Sequence, residues 1–171
     1  MNALVAPPHA VDPSTFRAAF RRLAGGVSIV TVGRGDTRTG LTATSIASFS
    51  ADPAILTFTL AGASSTRPVL ERERRFGVAV LAADQQAIAE RFSGAGGIRG
   101  AARHDGAEWT TAVTGAPLLV GALVSLDCEL EETIERHGQF LVFGRIRAVI
   151  ADPDDARSPL LYARGAYRTL P

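Results

Sequence analysis

Gly40-Leu41-Thr42-Ala43-Thr44-Ser45-Ile46-Ala47-Ser48-Phe49-Ser50-Ala51-Asp52-Pro53 runs straight into Ala54-Ile55-Leu56-Thr57-Phe58-Thr59-Leu60. The first half is dotted with small hydroxyl residues; the second is an apolar, β-branched and aromatic strand. Pro53 separates the halves, and Asp52 before it reads as a turn. One reading is a Ser/Thr-rich edge strand followed by a buried strand. The other is a binding surface, because small side chains let a flat ligand approach the backbone. Hydroxyls and free N–H groups then bond its polar edge. The residues alone leave both open.

Immediately downstream, Ala61-Gly62-Ala63-Ser64-Ser65-Thr66-Arg67-Pro68 leads into a short helix through Arg72. Small residues before a helix N-terminus expose unpaired N–H groups, and the macrodipole there favours an anion. With the hydroxyls and Arg67 this describes a phosphate cup; a plain N-cap with Pro68 in the first turn is the alternative. Upstream, Val27 to Val32 alternates like a strand, and Gly33-Arg34-Gly35-Asp36 is a turn. These make a hairpin whose second strand is the opening stretch.

Further out, Asp12-Pro13-Ser14 starts a helix on which Phe16, Ala19, Phe20 and Leu23 share a face and Arg17, Arg21 and Arg22 point outward. Gly25-Gly26 ends it. Residues 1–11 read as a flexible tail and 12–171 as one domain. Residues 76–81 form a buried strand, and Asp84 caps a helix carrying Ile88, Ala89 and Phe92 on one face. The glycine-rich loop 94–103 is no dinucleotide fingerprint, because its spacing is wrong and it follows a helix. Val124, Leu126, Cys128 and Leu130 face one way along a strand, and residues 140–150 form another. Six or seven strands, mostly in hairpin order, with two or three inserted helices, predict a mainly β, antiparallel barrel with Greek-key-like order.

The totals exclude several classes. Net charge is +1, so no strong field recruits nucleic acid or an acidic membrane. The longest apolar run is too short to span a bilayer, and the N-terminus is no signal peptide, so a cytoplasmic protein is expected. The single cysteine, Cys128, reads as a buried small hydrophobe. Three histidines form no triad, and no metal cluster is visible. His9 reads as solvated, His104 as part of the glycine-rich loop, and Tyr167 as a ring-stacking or core residue.

Taken together these segments resemble the short-chain flavin reductase family, FMN-binding split-barrel proteins that supply reduced flavin to monooxygenases. The match is carried by residues 16–31 (FRAAFRRLAGGVSIVT), 40–53 (GLTATSIASFSADP), 76–92 (FGVAVLAADQQAIAERF) and 115–128 (GAPLLVGALVSLDC). Pro159-Leu160-Leu161-Tyr162, Gly165 and Tyr167 also fit. The resemblance implies a flavin ring along Thr42, Ala43, Thr44, Ser45 and Ser48, and a flavin phosphate near Ser64, Ser65 and Thr66. It puts Phe92 near the cofactor. Arg67 and Arg103 are candidates for phosphate contact.

The family usually carries Gly-Asp-His a few residues before a Gly-Arg pair, with the histidine near the nicotinamide. Here the pair is Gly144-Arg145, Gln139 stands in the histidine's register, and His137 lies two residues earlier; a local bulge would bring His137 to the site. Where the family often has Arg-Phe before the tryptophan, this chain has Arg103-His104 before Trp109. The implied activity is hydride transfer from NADH or NADPH to FMN or FAD, in a homodimer serving a separate monooxygenase. A non-catalytic FMN-binding carrier or sensor, or a split-barrel oxidase acting on another substrate such as a pyridoxine phosphate, is the alternative.

Overall fold

The computed structural model describes residues 11–154 and 156–170. All of the expected tail except Val11, and His9 with it, lies outside the described residues. The strands are β1 (Gly25–Gly26), β2 (Ser28–Val32), β3 (Thr39–Ala43), β4 (Ala47–Ala51), β5 (Ala54–Ala61) and β6 (Arg75–Val80), then β7 (Trp109–Thr110), β8 (Leu118–Leu119), β9 (Val124–Arg136), β10 (Gln139–Ala151), β11 (Leu161–Ala163) and β12 (Ala166–Arg168). Helices α1 (Pro13–Phe20), α2 (Thr66–Glu73) and α3 (Gln86–Ser93) are inserted between them.

Seven strands make one antiparallel sheet in the order β3-β2-β6-β9-β10-β5-β4. The opening stretch therefore supplies both end strands, joined only by Thr44-Ser45-Ile46. Laid flat, six inter-strand steps would hold those ends ~29 Å apart. Four residues of chain reach at most ~14 Å. The sheet must curl until its edges approach, yet no ladder joins β3 to β4. The expected antiparallel β fold is present, as a curled sheet with one open seam rather than a closed barrel. The smaller sheets are β1-β11-β12 and β7-β8.

Strand alternation sorts the core into two packed regions. Val30 and Val32 of β2, Phe76 and Val78 of β6, and Cys128 and Leu130 of β9 pack inside the curl with Phe58 and with Leu70 of α2. The other face of β2 and β6, through Ile29 and Ala79, packs on Ala89 and Phe92 of α3. All five residues of β2 are buried, because helices cover both of its faces. Cys128 is fully buried, and burial pushes its thiol pKa up.

Two local expectations change. Asp12 does cap α1, accepting from the Ser14 and Thr15 N–H groups at 2.9 and 3.2 Å. The helix ends at Phe20, short of Leu23 and Gly25-Gly26, and among the described residues its apolar side chains are not buried: Phe16 and Phe20 are 52% and 58% exposed, and Leu23 beyond its end 68%. Asp84 does not cap α3. A single 3₁₀ turn, Ala83–Gln85, precedes that helix, and the Gln85 side-chain oxygen accepts from Ala82 N–H at 2.9 Å. Asp84 instead pairs with Arg157 at 3.0 Å. No described helix is long and apolar enough to cross a membrane.

Candidate functional site at the open seam

The seam brings together the two patches that the sequence singles out. Thr66 Oγ1, at the start of α2, donates to the Gly40 carbonyl of β3 at 2.9 Å. Arg103 Nη1 donates to the same carbonyl. On the other side of the link, Thr59 N–H of β5 donates to Ser45 Oγ at 3.1 Å. The loop before α2 is fastened further by Gly62 N–H, which donates to Gly138 O at 2.9 Å. Main-chain groups of buried strands thus hold the hydroxyl-rich link and the helix start in fixed relation.

Three clefts line the outer side of this junction. One, of about 520 Å³, is bounded by Thr42, Thr44, Glu90, Ser93, Tyr162 and Tyr167. A second, of about 660 Å³, shares Thr44 and Tyr162 with it and adds Ser45, Thr59, Phe16 and Phe20. A third, of about 530 Å³, shares Ser93 and reaches Ser65, Thr39, Arg38, Arg99 and Arg103. The clefts adjoin through these shared residues; Arg17 and Arg21 stand beside the apolar wall of the second, and Arg38, Arg99 and Arg103 line the third. Such a mixed lining suits an organic ligand with an anionic tail.

Several candidate side chains are buried or already engaged. Ala43, Thr66 and Phe92 are 6%, 0% and 1% exposed, so their side chains face the core. Thr42 spends its hydroxyl on Ala89 O at 2.5 Å. Ser65 is the N-cap of α2 but makes no side-chain capping bond, while Ser64 Oγ accepts from Thr66 N–H at 3.3 Å. Arg67 is braced by Gly62 O and Glu71, both at 3.0 Å, and lies over the Phe140 ring. Tyr167 meets Tyr162 edge-on at 5.2 Å along the wall of the first cleft. Burial, then the Glu90 and Tyr162 charges, raise its phenol pKa.

Ser48 is exposed on edge strand β4 and borders none of the three clefts. His137 is exposed at the β9–β10 turn with φ of 53° and also borders none of them. The bulges that would redirect it fall elsewhere, at Phe143/Gly144 and Ile146/Ala148. Gln139 pairs with Arg136 and Ala61.

The basic end has its own electrostatics. Burial first, and Arg99 second, lower the Arg103 pKa, so its charge sits in an environment that an anion would relieve. His104 lies behind it, 2% exposed, between Phe92 and Trp109 at ring separations of 5.0 and 4.6 Å. Burial, then the Arg38 charge, hold its pKa down at about 4, so it is neutral at pH 7. The sequence reading missed Arg38, Arg99, Glu90, Ser93 and Thr59 as cleft residues. Each is an ordinary polar residue in a turn, helix or strand, and only tertiary contact sets it here. Among the described residues no group of three or more His, Cys, Asp or Glu side chains is placed to hold a metal.

Comparison with known proteins bears on this geometry. Residues 20–171 match the family described as flavin reductase like domain. The chain is 37% identical over 164 residues to FMN reductase (NADH) RutF 2 of Methylorubrum extorquens, covering 96% of this chain and 93% of that one. It is 32% identical over 158 residues to the flavin-dependent monooxygenase reductase subunit HsaB of Rhodococcus jostii, covering 92% and 78%. The solved structure of BorF, the flavin reductase component of a bacterial two-component tryptophan halogenase, superposes with a TM-score of 0.83 at 34% identity, over 94% of this chain and 99% of BorF.

Proposed function

Because this chain belongs to the flavin reductase like domain family across residues 20–171, we propose that it is an NAD(P)H-dependent flavin reductase. The observation that carries the reading is the set of adjoining clefts at the β3–β4 seam, with Thr42 and Thr44 lining one and Ser65, Arg38, Arg99 and Arg103 lining another. A flavin fits that donor set: its polar ring edge needs hydrogen-bond partners and its phosphate needs cations. When bound, FMN or FAD supplies the hydride acceptor and NADH or NADPH the hydride.

The protein's part is positioning and electrostatics. The Thr44–Ser45 main chain, held through Ser45 Oγ by Thr59 N–H, offers donors that need no reorganisation. Ser65 with its free hydroxyl, Ser64, and Arg103 take the phosphate end, and Arg67 stiffens the start of α2. Thr42, Tyr162 and Tyr167 wall the ring end and exclude water from it. His137 is proposed to meet the nicotinamide nucleotide from the solvent side of the β9–β10 turn. Its position outside the three clefts, with Gln139 in the expected register, favours the second reading, a flavin carrier without turnover.

One anaerobic experiment separates the two. Mixing the protein with NADH or NADPH and either flavin should bleach the flavin and oxidise the nucleotide together. Flavin binding with no nucleotide oxidation would leave only the carrier.

Two relations to other proteins belong to the same proposal. HsaB and BorF are reductase components, and this chain is read as handing reduced flavin to a separate monooxygenase in the cytoplasm. The uncovered face of α1, continuous with the cleft at Phe16, Phe20 and Tyr162, is read as meeting a second copy of the chain. Light scattering should return a dimer.

A further inference from the structure

A fourth cleft, of about 550 Å³, opens between the β2–β3 turn and the segment from Trp109 to Pro117. It shares Arg38 with the basic cleft at the start of α2 and no residue with the other two. Its volume is that of a small-molecule site.

The charge around it is one-sided. Arg34 and Arg38 line it, and no carboxylate does. Neither guanidinium makes an ion pair among the described residues. Main-chain carbonyls hold them instead: Arg34 Nη2 donates to Thr114 O at 3.2 Å, and Arg38 Nε to Gly35 O at 3.0 Å. Arg34 also packs against Gly115, where a Cβ would come within 2.5 Å of its Nη2. A carbonyl fixes a guanidinium without neutralising it, so two positioned cations border one space with N–H groups to spare.

The apolar wall is a second, independent observation. Trp109, the single tryptophan of the chain, borders the cleft half-buried. Its Nε1 donates to His104 O at 2.7 Å, and its ring packs on Phe92 and His104, so the indole is anchored. Pro117 continues the wall, its carbonyl accepting from Thr31 Oγ1. A fixed indole beside two unneutralised guanidiniums selects a flat ring bearing an anionic group, with the ring on the apolar wall and its oxygens on the forks.

We propose that Arg34, Arg38 and Trp109 form a binding site for a small aromatic carboxylate, separate from the flavin clefts. The site does not depend on whether the protein reduces flavin.

The test uses the full chain with benzoate as the probe. Trp109 fluorescence should change on titration, and with no other tryptophan present the signal reports this cleft. Benzamide keeps the ring without the charge, and inorganic phosphate keeps the charge without the ring; each should bind about tenfold more weakly or worse. Arg34→Gln should weaken benzoate by roughly tenfold, the worth of one charge-assisted hydrogen bond. Arg34→Lys keeps the charge without the fork and should fall between. Arg34 is exposed and borders none of the flavin clefts, so both variants should keep the melting temperature and flavin Kd of the unaltered chain. Calorimetry repeats the benzoate titration with saturating FMN or NADH, and the affinity should hold. Phosphate binding as tightly as benzoate overturns the aromatic site in favour of a general anion patch. Displacement of benzoate by FMN or NADH gives the cleft to the nucleotides and overturns its separateness. No benzoate binding by fluorescence and calorimetry, or binding that ignores both Arg34 variants, overturns it outright, whatever the flavin assays return.

Discussion

Gly40→Ala tests how tightly the seam is built. Gly40 lies on β3 opposite Thr31, and its φ is not in the left-handed region, so only space opposes a side chain. A Cβ there would sit 2.2 Å from the Val30 carbonyl oxygen and 2.6 Å from Phe92 Cε1. Ordinary contact requires each to retreat by ~1 Å, and neither neighbour is free to move. Val30 O belongs to a fully buried strand, and Phe92 is wedged against His104 and Trp109. Overpacking of this kind costs about 1–3 kcal/mol, and main chain on one side places it at the upper end. In a protein of this size that is a fall in Tm of roughly 6–12 °C. The same shift moves the Gly40 carbonyl, which Thr66 and Arg103 both grip, so flavin affinity should fall alongside stability. Gly26→Ala is the control: nothing lies within 4 Å of its Cβ position. Melting curves and flavin fluorescence titrations on both variants measure the two effects. If Gly40→Ala melts with Gly26→Ala and binds flavin equally well, the rigid account of the seam is wrong.

His104 gives a stability that depends on pH. Its pKa is about 4 in the fold and near the ordinary 6.5 when unfolded, so between these values the unfolded chain takes up the proton first. Stability is therefore lost as pH falls from 6.5 toward 4, by roughly 3 kcal/mol in all, and urea midpoints of His104→Leu should lack that component. Thr114→Val removes the hydroxyl that donates to the buried Asp127 carboxylate, leaving Thr114 N–H at 2.7 Å as its remaining donor. Denaturant titration should show a loss of about 1–3 kcal/mol. Phe20→Asp should convert a dimer to a monomer by light scattering, with little change in monomer stability because Phe20 is exposed. A monomer from the unaltered chain, or a dimer from the variant, counts against α1 as the contact.

Most strands could be read from alternation, because alternation is local. Leu126, Cys128 and Leu130 announce one face of β9, and all three pack with the same core. The two hydroxyl-rich patches that meet at the seam stood out as well, since hydroxyls beside small residues are a chemical statement. What covers a face is not local. The apolar stripe of α1 has the period of a core helix, yet among the described residues none of its side chains is buried. His104 sits at the end of a glycine-rich loop that reads as open, yet Phe92 of α3 and Trp109 of β7 close over it from either side of that loop. Arg38 and Arg99 carry no periodic signal, because isolated cations in turns look alike until folding gathers them.

The ambiguity of the opening stretch has a structural cause. Its two halves are β3 and β4, the ends of one ladder, each hydrogen-bonded on one side only. An edge strand must leave main-chain groups unpaired, and proteins ordinarily hide or blunt such edges. Here the edges curl toward each other and stop short, with Thr44-Ser45-Ile46 spanning the gap. Closing the ladder would consume the donors that a polar ring edge requires. Opening it wider would break the Thr66 and Arg103 grips on Gly40 and part the hydroxyl-rich link from the start of α2. On the proposed reading edge strand and flavin surface are one arrangement, and a substitution that pairs the edges should stabilise the fold while abolishing flavin binding.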